Sequence, residues 1–308
     1  MYTRRDIGKI ALGGAALGTM YAASSESVAS GVRLGATTWS LRDLPRVPGK
    51  DNIDDLIQPL KSAGVTEIDL WSYNAEPAGP NFGPGAPPPP AAYPVKIKTF
   101  SKEEIEAANI QVRGLLRDFR GSTPASYFEN IRGKFSAAGI TVTAYTVKYD
   151  NSFTDDEIDQ TFRQAKALGA SSITAPGTPE LAKRLAPFAD KYQVHVALTD
   201  FTMASALPSK LFKVNADIGA ITAANSSPVA WLQENHDAVS QLTIKDRRRN
   251  KGMNEQYGDG DTPVQDVLRL VKAKAYPFPV FAEYEYLGLG TPAEELLRCM
   301  DYMRSAIA

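Results

Sequence analysis

Three short runs of this chain end in side chains able to move protons or hold a cation. Asp217 closes KVNAD, Lys245 closes QLTIK, and Glu283 and Glu285 close VFAEYE. Each run is apolar at alternate positions and breaks into charge at its end, as a half-buried strand does where it reaches a rim. Successive strand side chains point to opposite faces, so Thr243 shares a face with Lys245, and Glu283 with Glu285. Inward carboxylates opposite an ammonium have two chemical uses. They can hold a hard divalent cation through oxygens, with waters completing its shell, or abstract a proton next to a carbonyl while the ammonium steadies the developing oxyanion. Glu283, Lys245 and Asp217 are therefore the candidate catalytic residues.

Other strand-like runs end in groups suited to binding. TEIDLW carries Asp69 and Trp71, ITVTAYTV opens into Lys148 and Tyr149, and QVHVAL opens into Thr199, Asp200 and Phe201. Trp39, Trp71, Tyr149 and Phe201 offer flat apolar faces on which a ring stacks. In the charge run Lys245 to Arg249, Arg247 is a candidate for grasping an acidic substituent; the rest reads as a solvated loop with which Glu285 can pair. Asp69 and Asp200 complete the candidate substrate contacts, with Trp39, Trp71, Tyr149 and Arg247.

The elements that must position these groups alternate. Strand patterns fall at 31–40, 66–71, 140–147, 171–175, 193–198, 212–216, 241–244 and 280–283, and helical patterns at 53–63, 102–118, 124–138, 155–168, 179–191 and 228–236. A further helix follows Asp261-Thr262-Pro263, with Thr262 as its expected cap and Pro263 as its first residue. Eight strands alternating with helices predict a closed (β/α)8 barrel, in which chemistry belongs at the carboxyl ends of the strands. No strand is followed by a Gly-rich phosphate fingerprint, so no nucleotide cofactor is expected.

Composition narrows the partners. With 308 residues and a formal net charge of -1, the chain has no electrostatic invitation to nucleic acid; a small molecule fits better, and self-association stays open. The single cysteine, Cys299, lies on the apolar side of a late helix and reads as a core thiol. His195 falls inside a strand, well before its rim, and His236 at a helix end beside Asp237, so neither reads as a metal ligand. Residues 1–30 carry Arg4-Arg5, an Ala/Gly/Leu-rich run and Ser27-Val28-Ala29, the order of an export signal of twin-arginine type with a small-residue cleavage site. A periplasmic or secreted protein with no membrane span after signal removal is expected. The remainder, 31–308, is expected to be one barrel domain, interrupted by a Pro/Gly-rich loop at 75–98.

Several stretches carry a resemblance to a known family. They are AKALGASSIT at 165–174, LAPFADKYQVHVAL at 185–198, VNADIG at 214–219, SSPVAWLQENHDAV at 226–239, TIKDRRRN at 243–250, GDGDTPVQDVLRL at 258–270 and AEYEY at 282–286. In order and coverage, residues 31–305 resemble the xylose isomerase-like barrels of the sugar phosphate isomerase/epimerase superfamily, in its exported branch. The resemblance implies a carbohydrate substrate, proton transfer between adjacent carbons, and a divalent metal (Mg, Mn or Zn), with Asp217 and Glu283 matching two acidic ligands. The aromatic residues then become a platform for a sugar ring. The chain departs from that branch at Thr199-Asp200-Phe201 in place of His-Asn-His, at Ala220 after Asp217-Ile218-Gly219 in place of histidine, and at Thr243 in place of the histidine of His-Leu-Lys-Asp. Four expected histidines are missing. Two functions follow: an exported isomerase- or epimerase-like enzyme (or sugar lyase) with a degenerate metal site, or a barrel that binds sugar or a partner without catalysis.

Overall fold

The computed structural model describes residues 31–78 and 101–308. The expected export signal and positions 79–98 of the Pro/Gly-rich loop lie outside the described residues. Eight parallel strands close a barrel: β1 (Leu34–Thr37), β2 (Glu67–Trp71), β3 (Thr141–Thr146), β4 (Ser172–Ala175), β5 (His195–Leu198), β6 (Phe212–Asp217), β7 (Val239–Ile244) and β10 (Val280–Ala282). β10 pairs with both β7 and β1, which seals the ring. Two short strands, β8 (Asp246–Arg247) and β9 (Asn254–Glu255), form an antiparallel ladder in the loop beyond β7.

Period-two alternation accounts for the barrel's two faces. Ile68, Leu70, Val196, Leu198, Leu242 and Ile244 are fully buried in the apolar jacket between barrel and helices. The alternate positions are polar: Thr37, Asp69, Thr146, Thr174, Gln241 and Thr243. Asp69 on β2 accepts from Thr146 of β3, Thr174 of β4 and Gln241 of β7, and since neither β4 nor β7 neighbours β2 the last two bonds cross the lumen. Barrel interiors are ordinarily filled by branched apolar side chains. Here the upper lumen is a hydrogen-bonded polar plug.

The helices are α1 (Ile53–Ser62), α2 (Ser72–Ala75), α3 (Lys102–Ser122), α4 (Ala125–Ala137), α5 (Asp155–Leu168), α6 (Pro179–Tyr192), α7 (Ile218–Ala223), α8 (Pro228–Asn235), α9 (Val264–Lys274) and α10 (Pro292–Ile307). Local chemistry sets their starts. Ser101 with Glu104, Thr154 with Glu157 and Thr291 with Glu294 make reciprocal capping boxes. Glu157 does more than cap: its carboxylate meets Arg113 at 2.5 Å and Arg120 at 3.4 Å, and Arg120 reaches Glu76 at 2.6 Å, so buried charge ties α3 to α5 and to the end of α2.

Some boundaries differ from expectation. α3 runs four residues past Asp118. α7 had no sequence signal because it is one short turn beyond β6, started by Asp217 Oδ1 accepting from the Ala220 amide at 2.9 Å. Thr262 is not the cap of α9: its hydroxyl accepts from the Arg247 amide, and the helix begins at Val264 after Pro263. Its own amide is one of three that Asp246 collects, with those of Gly258 and Gly260, and this buried carboxylate thereby folds the loop between β9 and α9. A Cβ on Gly260 would lie 2.0 Å from Asp246 Oδ1, so no other residue permits that approach.

Candidate active site

A cavity of about 320 Å³ opens at the carboxyl ends of the strands, and its walls are built from the polar lumen. Asp69, Thr146 and Thr174 form the floor; Asp217, Thr243, Lys245, Glu283 and Glu285 make the charged wall, and Trp39 and Trp71 an aromatic wall that adjoins it where Trp39 meets Glu285. The register explains the clustering. Asp217 is level with Thr243 across β6 and β7, and the Glu283 amide donates to the Ile244 carbonyl, so the ladder continues one step beyond the named strands and brings Glu283 beside Lys245.

Lys245 is the centre. Its ammonium lies 3.0 Å from Asp217 Oδ2, 2.8 Å from Glu283 Oε1 and 2.9 Å from Glu285 Oε2, with 14% of the side chain exposed. Burial works against the charge, but Asp217, Glu283 and Glu285 outweigh it and lift the ammonium well above the ordinary lysine range. The carboxylates respond differently. Burial raises Glu283 above the usual carboxylate range; Lys245 opposes that, and the charge of Asp217 adds to it. Glu285 is less enclosed, and although burial pushes the other way, Lys245, Arg42 and Trp39 hold it below that range.

Each carboxylate has a distinct second anchor. Glu283 Oε2 accepts from Thr37 Oγ1 at 2.9 Å, Glu285 from Trp39 Nε1 at 3.2 Å and Asn254 Nδ2 at 3.2 Å, and Asp217 from the α7 amide. The aromatic wall is continuous: Trp39 packs edge-on against Trp71 at 4.3 Å between centroids, and Trp71 stacks on Tyr73 at 4.5 Å. Such a wall suits the apolar face of a sugar ring. Lys148 lines the mouth and is exposed.

The structure therefore brings together Trp39, Asp69, Trp71, Asp217, Lys245 and Glu283, and separates four other candidates, Tyr149, Asp200, Phe201 and Arg247. Tyr149 faces outward: its hydroxyl shares a hydrogen bond of 2.6 Å with Thr161 on α5 and its ring packs on Phe153, because Thr146 and Lys148 hold the inward parity on that strand. Asp200 does not line the cavity; it caps the turn at Phe201–Ser205 by accepting from the Thr202 amide and hydroxyl. Arg247 is drawn aside by the β8 ladder and donates to the Gly252 carbonyl. Glu285 pairs with Lys245 and not with the arginines, of which Arg248 takes Glu255 at 3.2 Å. Phe201 packs on Trp231 away from the cavity. His195 is exposed at the start of β5, and His236 stacks on Tyr276, both at the opposite end of the barrel. Cys299 is buried, with its thiol pushed up to about 12 by that burial.

Residues that sequence reasoning missed are the neutral ones: Thr37, Thr146, Thr174 and Asn215 all line the cavity. Their signal was available, as polar residues at alternate positions of otherwise apolar strands. Asn254 was not predictable, since the β8–β9 ladder delivers it from a loop.

The divalent metal implied by the fold does not fit these residues. The position a cation would take among Asp217, Glu283 and Glu285 belongs to the ammonium of Lys245. Thr243 stands where a histidine would serve as ligand, and its hydroxyl donates to Asn215 Oδ1 at 2.9 Å. Among the described residues no group of three or more His, Cys, Asp or Glu side chains is placed to hold a metal ion, and the three carboxylates that meet here meet on the ammonium.

Comparison with solved structures places this barrel. It is similar to a xylose isomerase domain protein from Planctomyces limnophilus (15% identity, TM-score 0.53, covering 80% of this chain and 88% of that one). It is also similar to the probable 3-DHS dehydratase AsbF from Bacillus anthracis (12%, 0.58, 88% and 98%). A third is the 3-keto-D-glucoside 4-epimerase YcjR from E. coli (13%, 0.56, 89% and 99%). No family profile matches the chain, and no curated protein matches it by sequence. At these identities the likeness is one of fold. The protein has the (β/α)8 architecture of the xylose isomerase-like barrels.

Proposed function

We propose that this chain is a sugar-modifying enzyme that moves a proton at a carbon next to a carbonyl, in the manner of an isomerase or epimerase. The observation that carries the reading is Glu283: a carboxyl raised by burial, 2.8 Å from an ammonium, facing a monosaccharide-sized cavity with an aromatic wall. A base is most effective when its pKa approaches the working pH, and burial moves Glu283 in that direction. The structural neighbour named as a 3-keto-D-glucoside 4-epimerase supports the substrate class.

In this reading the sugar ring lies on Trp39 and Trp71 with its carbonyl oxygen toward Lys245. Glu283 takes the proton from the adjacent carbon. The C–H electron pair moves into the carbonyl to give an enediolate, whose negative oxygen is stabilised by the ammonium. Glu283, now protonated, returns the proton from the same face to the former carbonyl carbon while the hydroxyl proton of the neighbouring carbon passes to the enediolate oxygen, which moves the carbonyl to that neighbour and gives the isomer. Asp217 keeps the ammonium aimed into the cavity. All three ammonium protons face carboxylates, so the substrate oxygen must displace one of them. Glu285 is the one to yield: it is the most exposed of the three, at 30%, and keeps Trp39 and Asn254 as partners.

A second reading, a barrel that binds sugar without turnover, draws on the same saturation of Lys245. Proton NMR in D2O separates the two. Incubated with a panel of keto-sugars, the enzyme is expected to wash deuterium into the position next to the carbonyl of at least one of them, and Glu283→Gln to slow that exchange at least about 100-fold while sugar-induced thermal stabilisation persists. Stabilisation of the wild type by a sugar with no exchange in any member of the panel establishes the binder instead. Export is part of the proposal and is supported by Arg4-Arg5 and the apolar run after them; retention of full-length precursor in the cytoplasm when both arginines are changed to lysine is the expected fractionation result.

A further inference from the structure

We infer that Lys245, beside a Thr243 that stands where a histidine ligand would be, fills the cation position among Asp217, Glu283 and Glu285 from the chain itself and keeps the site free of metal. The inference concerns the same cavity as the proposed function, but it is a statement about occupancy and stands or falls without turnover.

Geometry is the first ground. The carboxylate oxygens stand 2.8 to 3.0 Å from the nitrogen. That is the radius of a charge-assisted N–H···O contact, whereas oxygens around magnesium or calcium close to about 2.0–2.6 Å. Valence is the second. An ammonium has three protons, and Asp217, Glu283 and Glu285 supply one acceptor each, so no proton of the ammonium is left without a carboxylate partner. A divalent ion at the same place would need the ammonium to leave.

The fold opposes that departure. A Cβ on Gly219, at the start of α7, would lie 2.9 Å from Lys245 Cβ and 3.0 Å from its carbonyl oxygen, so the backbone of α7 presses directly on the root of the lysine. The side chain has the lumen as its path. The remaining oxygen donors are also committed. Both carboxylate oxygens of Asp69 accept from the floor residues, and Thr243 is engaged with Asn215. The end of β4 offers Thr174, Ala175 and Pro176, with no carboxylate. Charge, donor set and backbone thus agree that this site carries its cation on its own chain.

Metal content and Mn2+ binding test the inference directly. Purified full-length protein, dialysed against buffer with 1 equivalent of Mn2+ and assayed by elemental analysis and by electron paramagnetic resonance of free Mn2+, is expected to retain none. Lys245→Ala and the shape-preserving Lys245→Met vacate the position and leave three facing carboxylates, so both are expected to bind one Mn2+ at least about tenfold more tightly than the wild type. Lys245→Arg keeps the charge and is expected to stay empty, and Glu283→Gln added to Lys245→Ala to lose the acquired binding. One equivalent of Mn2+, Mg2+ or Zn2+ held by the wild type overturns the inference, as do folded Lys245→Ala and Lys245→Met proteins that both remain empty. Should neither variant fold by circular dichroism, the wild-type content decides: one equivalent overturns, none supports. A chain that turns over no sugar passes or fails this test just the same.

Discussion

The residues of the cavity divide into those with spare bonding capacity and those without. Asp69 belongs to the second group: three donors from three strands end on it, and it is 1% exposed. Asp69→Ala strands those buried donors and is expected to cost about 3 kcal/mol in urea unfolding, with Asp69→Asn costing less because the threonine hydroxyls can turn to accept. Glu283 belongs to the first group, and its titration is set by neighbours of opposite effect. Since Asp217 raises it, Asp217→Asn is expected to move the acid limb of the proposed exchange reaction toward lower pH, with the α7 cap preserved by the asparagine oxygen. An unmoved limb in the pH profile assigns that limb to another group. Period-two parity made Lys245, Glu283 and Glu285 legible before any coordinates. The same parity, carried from Thr146 through Lys148, turns Tyr149 outward and, carried from Thr199, turns Asp200 away; those two were placed in the site by proximity to a strand end alone. Arg247 obeys parity in the sequence but not in the fold, because the chain leaves the barrel at Asp246.

At the scale of elements, what holds the helical jacket together is charge as well as apolar contact. Glu157 caps α5 and accepts from Arg113 on α3, with 3% of its side chain exposed. Burial alone would raise its carboxyl; the hydrogen bond from Arg113, the Thr154 amide and the arginine charges prevail and bring it down to about 2. A depressed carboxylate stabilises the fold above its unfolded value near 4.5 and loses that contribution as pH falls through about 2. Glu157→Gln is therefore expected to lower stability by roughly 3 kcal/mol at neutral pH, by leaving arginines partly unpaired, and to flatten the acid loss between those limits; equal slopes for both proteins in acid unfolding refute the assignment. The capping boxes of α3, α5 and α10 were readable as Ser or Thr followed by Glu at the third position. α7 was not, since one aspartate ends a strand and starts a helix there, and no periodicity fits in six residues. Gly219→Ala tests that junction: the added methyl meets the backbone and Cβ of Lys245, so reduced thermal stability and loss of the proposed exchange are expected together.

For the whole molecule, the closed ring and its eight-fold alternation were written in the spacing of apolar runs, and the structure supplies the barrel so predicted. What spacing does not show is the division of solvents: an apolar shell outside the strands and a polar plug within the upper lumen. That division seats the cavity on a cross-braced part of the barrel, since bonds from β3, β4 and β7 converge on the Asp69 carboxylate of β2. Among the described residues no helix is long and apolar enough to cross a membrane.

The ammonium at the head of that plug has a consequence beyond affinity. A cation carried by the backbone is delivered with translation, one per chain, and neither dilution nor a competing chelator removes it. It also cannot be exchanged for the wrong ion: where the availability of manganese, zinc and iron changes with surroundings, such a site is exempt from mismetallation, and its charge is inherited through the gene instead of acquired from the medium.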